Sequence, residues 1–239
     1  MLIDLHMHEK SYSLDSHLSL EEMVAQARKL GLDGLCITDH DSMGLREAAE
    51  KYAMAVHFPI FVGIEFYSLQ GDIVAFGIRD YPRVRVDAQE FIDCVRAQGG
   101  VCFAAHPFRD NHRGLAENLP AVRGLNGVEA LNGSTLPADN QRAADWAIRL
   151  GLPLLGASDC HIVEKLGVYA TYFPGRITSE SDLCEAIRAG ACAPAYRKNC
   201  AYGVWHAEHK TFWEEGVTPQ RVVEYSDLHP ARQTAPAAV

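Results

Sequence analysis

The sequence predicts an α/β fold built on parallel strands and closed into a barrel rather than left as an open sheet. Three observations point there. Short apolar runs alternate with amphipathic stretches along nearly the whole chain, the pattern of strand–helix–strand units. About seven such units fall in one chain, a number that suits a barrel. Neither a G-x-G-x-x-G nor a G-x-x-x-x-G-K-[ST] phosphate loop is present, which weakens the nucleotide-binding doubly wound alternatives.

Taken in order, the first strand is Leu2-Ile3-Asp4-Leu5, running into His6-Met7-His8. Strand side chains alternate with a period of two, so His6 and His8 project to one face. One metal ion could take both rings at about 2.0–2.1 Å. A polar loop follows and carries Asp15. Ser19-Leu20-Glu21-Glu22 is a capping box opening a helix that puts Leu20, Met23, Val24, Ala27 and Leu30 on one face and stops at Gly31. Gly34 to Thr38 is the next strand, with Asp39-His40-Asp41 at its C-terminal end, and a helix is expected over 42–56. Pro59 opens a strand over 60–64 that ends in Glu65, and a further strand over 73–78 follows Gly71.

Asp87 starts another helix, which ends at Gly99-Gly100, and the strand after it, Val101 to Ala105, ends in His106-Pro107. The long polar loop to Gly124 carries Arg109, Asp110, Asn111, His112 and Arg113; loops of that length are often functional. A strand over 128–131, a helix over 139–150 and a strand over 153–157 lead to Ser158-Asp159-Cys160-His161. A strand over 168–173, a helix over 179–189 and a last strand near 191–195 complete the pattern. The chain reads as one domain over 1–225 with a frayed tail over 226–239.

Composition narrows the class. The chain has 239 residues and a formal net charge of −9, which disfavours a nucleic-acid backbone as the bulk partner. A small phosphorylated substrate remains compatible, because bound cations reverse the local sign. Seven cysteines occur with no C-x-x-C pair. Cys36, Cys94, Cys102, Cys184 and Cys192 fall in apolar or amphipathic runs and read as reduced, buried side chains of a cytoplasmic protein. No apolar run is long enough to span a membrane, and no secretory leader pattern opens the chain.

The chemistry gathers at the strand ends, the rim where parallel barrels build their sites. Those ends supply His6, His8, His40, Glu65, His106, Asp159 and His161, and the first loop adds Asp15. Five imidazoles and three carboxylates, with no thiolate among them, suit zinc, manganese or iron. Singly each has a plain reading: Asp39 and Asp41 as caps, His106 as a turn residue, Asp15 as a solvated carboxylate. Jointly they predict a polynuclear metal site. Arg109 and His112, just beyond His106, are candidates to bind a substrate phosphate. His17, His57 and His229 read as surface or structural, as does the His206–His209 pair.

The motifs together resemble the polymerase and histidinol phosphatase (PHP) superfamily of metal-dependent phosphoesterases. The matching pieces are Asp4-Leu5-His6-Met7-His8, Ser13-Leu14-Asp15, Thr38-Asp39-His40-Asp41, Gly63-Ile64-Glu65, Ala105-His106-Pro107 and Ser158-Asp159-Cys160-His161, in the family's order. The resemblance implies a distorted (β/α)7 TIM-like barrel with up to three metal ions at its rim. It implies that His6, His8, Glu65 and Asp159 hold one ion, that Glu65 bridges to a second bound by His106, and that Asp15, His40 and His161 hold a third. This chain departs from the pattern in two places. Many family members have a histidine on the strand after the glutamate, where this one reads Asp72-Ile73-Val74-Ala75-Phe76-Gly77, and the common Ser-Asp-Gly is Leu14-Asp15-Ser16.

The expected activity is hydrolysis of a small phosphomonoester or nucleotide-type phosphoester. Two to three divalent ions would lower the pKa of water towards about 7, with Asp159, His40 and His161 as catalytic residues. Competing readings are a C–N hydrolase of the amidohydrolase kind, which also opens with His-x-His, and a non-catalytic metal-binding or regulatory module. The PHP superfamily also includes nucleic-acid-processing members, which the acidic balance disfavours only mildly.

Overall fold

Local stop signals place most elements where the sequence expects them. In the computed structural model, which describes residues 1–206, 211–214 and 223–224, β1 (Leu2–Asp4) leads to α1 (Leu20–Leu30). The Ser19 and Glu22 side chains cap each other's backbone at the start of α1, and Gly31 ends it with φ 79°. There follow β2 (Gly34–Ile37), α2 (Arg46–Val56), β3 (Ile60–Val62), β4 (Ile64–Tyr67), β5 (Asp72–Phe76), α3 (Ala88–Ala97) and β6 (Val101–Ala104). The chain continues with β7 (Gly127–Asn132), α4 (Pro137–Leu150), β8 (Leu154–Ala157), β9 (Tyr169–Tyr172) and α5 (Glu180–Arg188). The last strands are β10 (Ala193–Lys198), β11 (Ala201–His206), β12 (Thr211–Glu214) and β13 (Val223–Glu224). The tail expected over 226–239, with His229, and the partner His209 lie outside the described residues, while His206 ends a strand rather than sitting on a helix.

The helix expected from residue 42 begins only at Arg46, because Ser42 Oγ accepts the Gly44 N–H at 3.1 Å and turns the chain there. Cys36, Cys102, Cys160 and Cys184 are free and buried, whereas Cys94 and Cys192 are only half-buried. No helix among the described residues is long and apolar enough to cross a membrane.

The sheet differs from a closed parallel barrel. The strands form two ladders, one of eight in the order β13-β12-β11-β10-β9-β1-β2-β3 and one of five in the order β4-β5-β6-β7-β8. Parallel pairing holds within β1-β2-β3 and β6-β7-β8, but β5 runs antiparallel to both its neighbours and β9 antiparallel to β1 and β10. The reason at β5 is a short link: Ser68 closes a turn on Gly71, leaving no length for the crossover helix a parallel strand needs.

The break between the ladders falls at Gly63. A Cβ there would collide with the Ala75 carbonyl and lie 2.6 Å from the Phe76 ring, so only glycine lets the chain pass from β3 to β4. The ladders touch through single bridges, His40 to Glu65 and Met7 to Cys160. Hydrogen bonds at those seams include Glu65 N to Asp39 O at 3.2 Å and Asp159 N to His6 O at 2.8 Å. Between the ladders Ile3, Leu5, Val74, Phe76, Phe103 and Leu155 form one buried cluster, each worth about 1.5–3 kcal/mol of burial. The seams therefore bring the C-terminal ends of β2, of β8 and of the extension beyond β1 together above an apolar floor. We expect Gly63→Ala to lose about 1–3 kcal/mol by overpacking, read as a lower urea midpoint at unchanged slope.

Candidate metal centre

His6 and His8 leave β1 on one face, as the period of two requires. Their Nε2 atoms stand 3.1 Å apart. Glu65 from β4 and Asp159 from the end of β8 close on the same point, with imidazole-to-carboxylate distances between 3.3 and 3.7 Å. Ligands held tetrahedrally at about 2.0–2.1 Å from one ion lie about 3.3 Å from each other, so the spacing fits. On one side, His106 Nε2 is 2.8 Å from Glu65 Oε1. On the other, Asp15 Oδ2 lies 3.3 Å from Nε2 of both His40 and His161. All eight side chains expected as ligands meet in one cluster.

Neighbouring groups fix which ring nitrogens face inward. His6 Nδ1 donates to Glu129 Oε1 at 3.0 Å. His8 Nδ1 is bound to Ser13 Oγ at 3.2 Å, and that hydroxyl donates to Asp39 Oδ1 at 2.9 Å. Both Nε2 atoms are thereby left for a metal, the arrangement in which outer partners orient the ligands. The other Glu129 oxygen accepts the His106 backbone N–H at 2.7 Å and Asn132 Nδ2 at 2.8 Å. Asp4, buried beneath, accepts the backbone N–H groups of Ser158 at 2.9 Å and Gly167 at 3.1 Å, tying the end of β8 to β1. His106 and Asp159 are held at φ 27° and 49°, conformations that cost about 1–3 kcal/mol each and persist only when their surroundings enforce them.

The electrostatics call for cations. Burial alone would keep Glu65 neutral, yet the charge on His6 and hydrogen bonds from His106 and His40 hold its carboxyl well below the usual range. At Asp159 burial is likewise outweighed, by His6, His8 and Arg109. Burial pushes His8 down to about 4 against the pull of Asp159 and Glu65. For His6 the order reverses: burial opposes the charged ring, but Asp159, Glu129 and Glu65 together raise it well above normal. His40 is raised to about 8, burial being overcome by Glu65 and Asp15, and burial lowers His161. His40 Nδ1 and Glu65 Oε2 meet at 2.7 Å, and His106 Nδ1 is buried without a hydrogen-bond partner. Buried nitrogen and oxygen atoms gathered within 4.8 Å of one another in such a field fit a divalent metal. The nearby Cys160 thiol is pushed up by burial and sits in the apolar core instead.

The two expected substrate residues part company. Arg109 reaches the cluster, pairing with Asp159, donating to Asn132 Oδ1 at 2.8 Å and, through Nε, to Thr135 Oγ1 at 3.2 Å. His112 is exposed at φ 58°, and Arg113 takes the inner position. Sequence reasoning also missed Asp72, Glu129 and Asn132 as parts of the site. A charged residue inside the apolar stretch Val128 to Leu131 was the available signal for Glu129.

Residues 4–126 match the family described as PHP domain, and residues 137–192 the one described as PHP-associated. An uncharacterised protein of Methanocaldococcus jannaschii is 26% identical over 141 residues, covering 55% of this chain and 82% of that one. Among solved structures, PsfC from Pseudomonas syringae superposes with a TM-score of 0.65 at 19% identity, covering 83% of this chain and 92% of that one. A candidate metal-dependent phosphoesterase from Bifidobacterium adolescentis gives 0.58 at 21% identity, over 67% of this chain and 87% of that one. The lesion-specific endonuclease of Pyrococcus furiosus gives 0.61 at 16% identity, over 79% of this chain and 56% of that one. At these identities the structural likenesses show a shared fold alone.

Two outcomes follow from the geometry. An incoming ion must displace the proton that His6 retains at neutral pH, so apparent Mn²⁺ affinity should rise from about pH 6 to 8 with proton release. Calorimetry in buffers of different ionisation enthalpy measures both. Glu129→Gln, which weakens the orientation of His6, should lower metal affinity about 10–100-fold, read in the same titration.

Proposed function

The chain belongs to the PHP domain family, and from that premise we propose that it is a metal-dependent phosphoesterase acting on a small phosphomonoester or nucleotide-type phosphoester. The observation that carries the reading is the convergence of eight nitrogen and oxygen ligands with the Arg109 guanidinium at their edge. His6, His8, Glu65 and Asp159 would hold one ion, and Asp15, His40 and His161 another. Glu65 and His106 stand at a third position, for two to three ions of zinc, manganese or iron. Bound cations would supply a nucleophile from water at neutral pH and neutralise charge on the phosphoryl group.

The chain's own residues divide the remaining work. His6 and His8 are sealed from solvent, whereas the His40 and His161 side chains are 25% and 24% exposed. The outer pair therefore lines the opening by which a substrate arrives, and a ring there that is not holding the ion can hold or deliver a proton at a leaving oxygen. Arg109, steadied by Asn132 and Thr135, presents a planar fork suited to phosphoryl oxygens. This favours an ester of phosphate over an amide, which offers no such anion. The substrate is a small molecule rather than a polymer on the strength of the −9 charge, and the free cysteines suit the cytoplasm.

Protein purified without chelator should contain manganese, zinc or iron by elemental analysis and should release phosphate from members of a phosphoester panel. His8→Ala and Asp159→Ala should each reduce that release to background. Turnover of amides but not phosphoesters, or unchanged phosphate release in either variant, would sink the reading. Arg109→Ala should raise KM more than it lowers kcat, as expected when binding common to ground and transition states is removed.

A further inference from the structure

Glu65, Asp72 and His106 offer ligand atoms within 4.8 Å of one another, and by residue type they could hold an ion. The structure gives Asp72 another partner. Arg113 Nε donates to Oδ2 at 2.7 Å and Nη2 to Oδ1 at 3.0 Å, a two-pronged contact that uses both oxygens. Oδ2 is also the oxygen nearest His106 Nε2, at 3.7 Å, so the atom an ion at His106 would need is already engaged. Without Asp72, His106 keeps Glu65 and, 3.9 Å away, Asp159, both of which the His6–His8 position also uses, so the corner falls short of the four ligands usual for zinc. Val74, two residues along β5, is fully buried in the apolar core and adds none.

The main chain fixes the contact as well as the charges do. Asp72 N–H donates to the Arg113 carbonyl at 2.6 Å. Gly71, at φ 150°, lies so close to the 114–115 backbone that a Cβ would stand 2.6 Å from Leu115 N. The guanidinium rests over the Tyr67 ring, 4.4 Å from its centroid. The Asp72 carboxylate is fully buried, while the Arg113 side chain is 32% exposed, so the pair is anchored from within and reaches the surface on its cationic side.

We infer that Arg113 is the resident cation of the Glu65–Asp72–His106 corner, and that the centre accordingly takes about two divalent ions rather than three. The ions belong to His6–His8–Glu65–Asp159 and to Asp15–His40–His161. A chelator that strips both leaves the guanidinium in place.

The test is the number of ions bound by the chelator-stripped full chain, counted by Mn²⁺ titration and elemental analysis. We expect about two equivalents for the unsubstituted protein, about three for Arg113→Ala, and about two again for Asp72→Asn combined with Arg113→Ala. If Arg113→Ala loses its near-ultraviolet circular dichroism, Arg113→Gln, which also removes the charge, carries the same expectation. Three ions in the unsubstituted protein overturn the inference. So does a folded Arg113 variant that stays at two, or a double variant that keeps the third. The inference rests on the cluster being a metal centre and not on ester hydrolysis. A protein that binds no metal sinks both, whereas one that holds two ions yet cleaves no phosphoester sinks only the hydrolase reading.

Discussion

Four carboxylates, Glu65, Asp72, Glu129 and Asp159, are withdrawn from water within a few ångströms of His6 and His106. An uncompensated buried ion costs several kcal/mol, so this much negative charge is tolerable only where positive charge is built in beside it. The architecture can be read as the supply of that charge. Imidazoles arrive from the ends of four strands, guanidinium groups from the loop after β6, and the space between ligand atoms suits metal ions. The same field explains why His6 holds a proton while His8, 3.1 Å away, gives it up: only one of two adjacent buried rings can stay charged.

Such a cluster demands a scaffold that brings strand ends together without closing on them. Two ladders meeting along narrow seams do this. Gly63 lets β3 hand over to β4 at the point where Glu65 must turn inward, and Asp4 ties the Ser158 and Gly167 backbone to the strand that carries His6. The left-handed conformations of His106 and Asp159 are sustained by hydrogen bonds into the same network. Strain at the ligands and satisfaction of the groups around them are parts of one arrangement, since releasing either would re-aim a side chain by more than coordination tolerates.

Much of this was legible because it is local. His6-x-His8 and Asp159-x-His161 declare their shared direction by spacing, and the Ser19–Glu22 box and Gly31 mark both ends of α1. What escaped depends on contacts far apart in sequence. Asp72 and Arg113 are 41 residues apart, and neither has a local reason to be read as more than polar. Glu129 lies inside a strand that is otherwise apolar up to Asn132, whereas the other ligand-type residues stand at strand ends. The hairpin of β10 and β11 turns at Asn199 and Cys200, both at positive φ. Without a glycine the turn lacks the strongest hairpin signal, and β10 runs to Lys198, past the strand expected near 191–195. The closed parallel barrel failed for a similar reason, since the pattern gives strands and helices but not the direction of β5, which the short link at Ser68–Gly71 decides.

The Asp72–Arg113 contact shows how a departure from the expected ligand set can be absorbed. Where a histidine is expected on β5, the chain has Val74 facing the core, and a carboxylate two residues earlier on the strand. Burial and then the Glu65 charge raise the Asp72 carboxyl to about 7 even with Arg113 beside it, and without that cation it would be raised further. Arginine resolves the conflict in a way a neutral donor would not, because it stays charged across the biological pH range and its fork matches both oxygens. The two halves of the pair make sense only together: Asp72 alone would invite a metal or a proton, and Arg113 alone would repel the ions at the neighbouring positions. Their pairing lets the protein itself set the cluster's inner charge at this corner, whatever ions the others take.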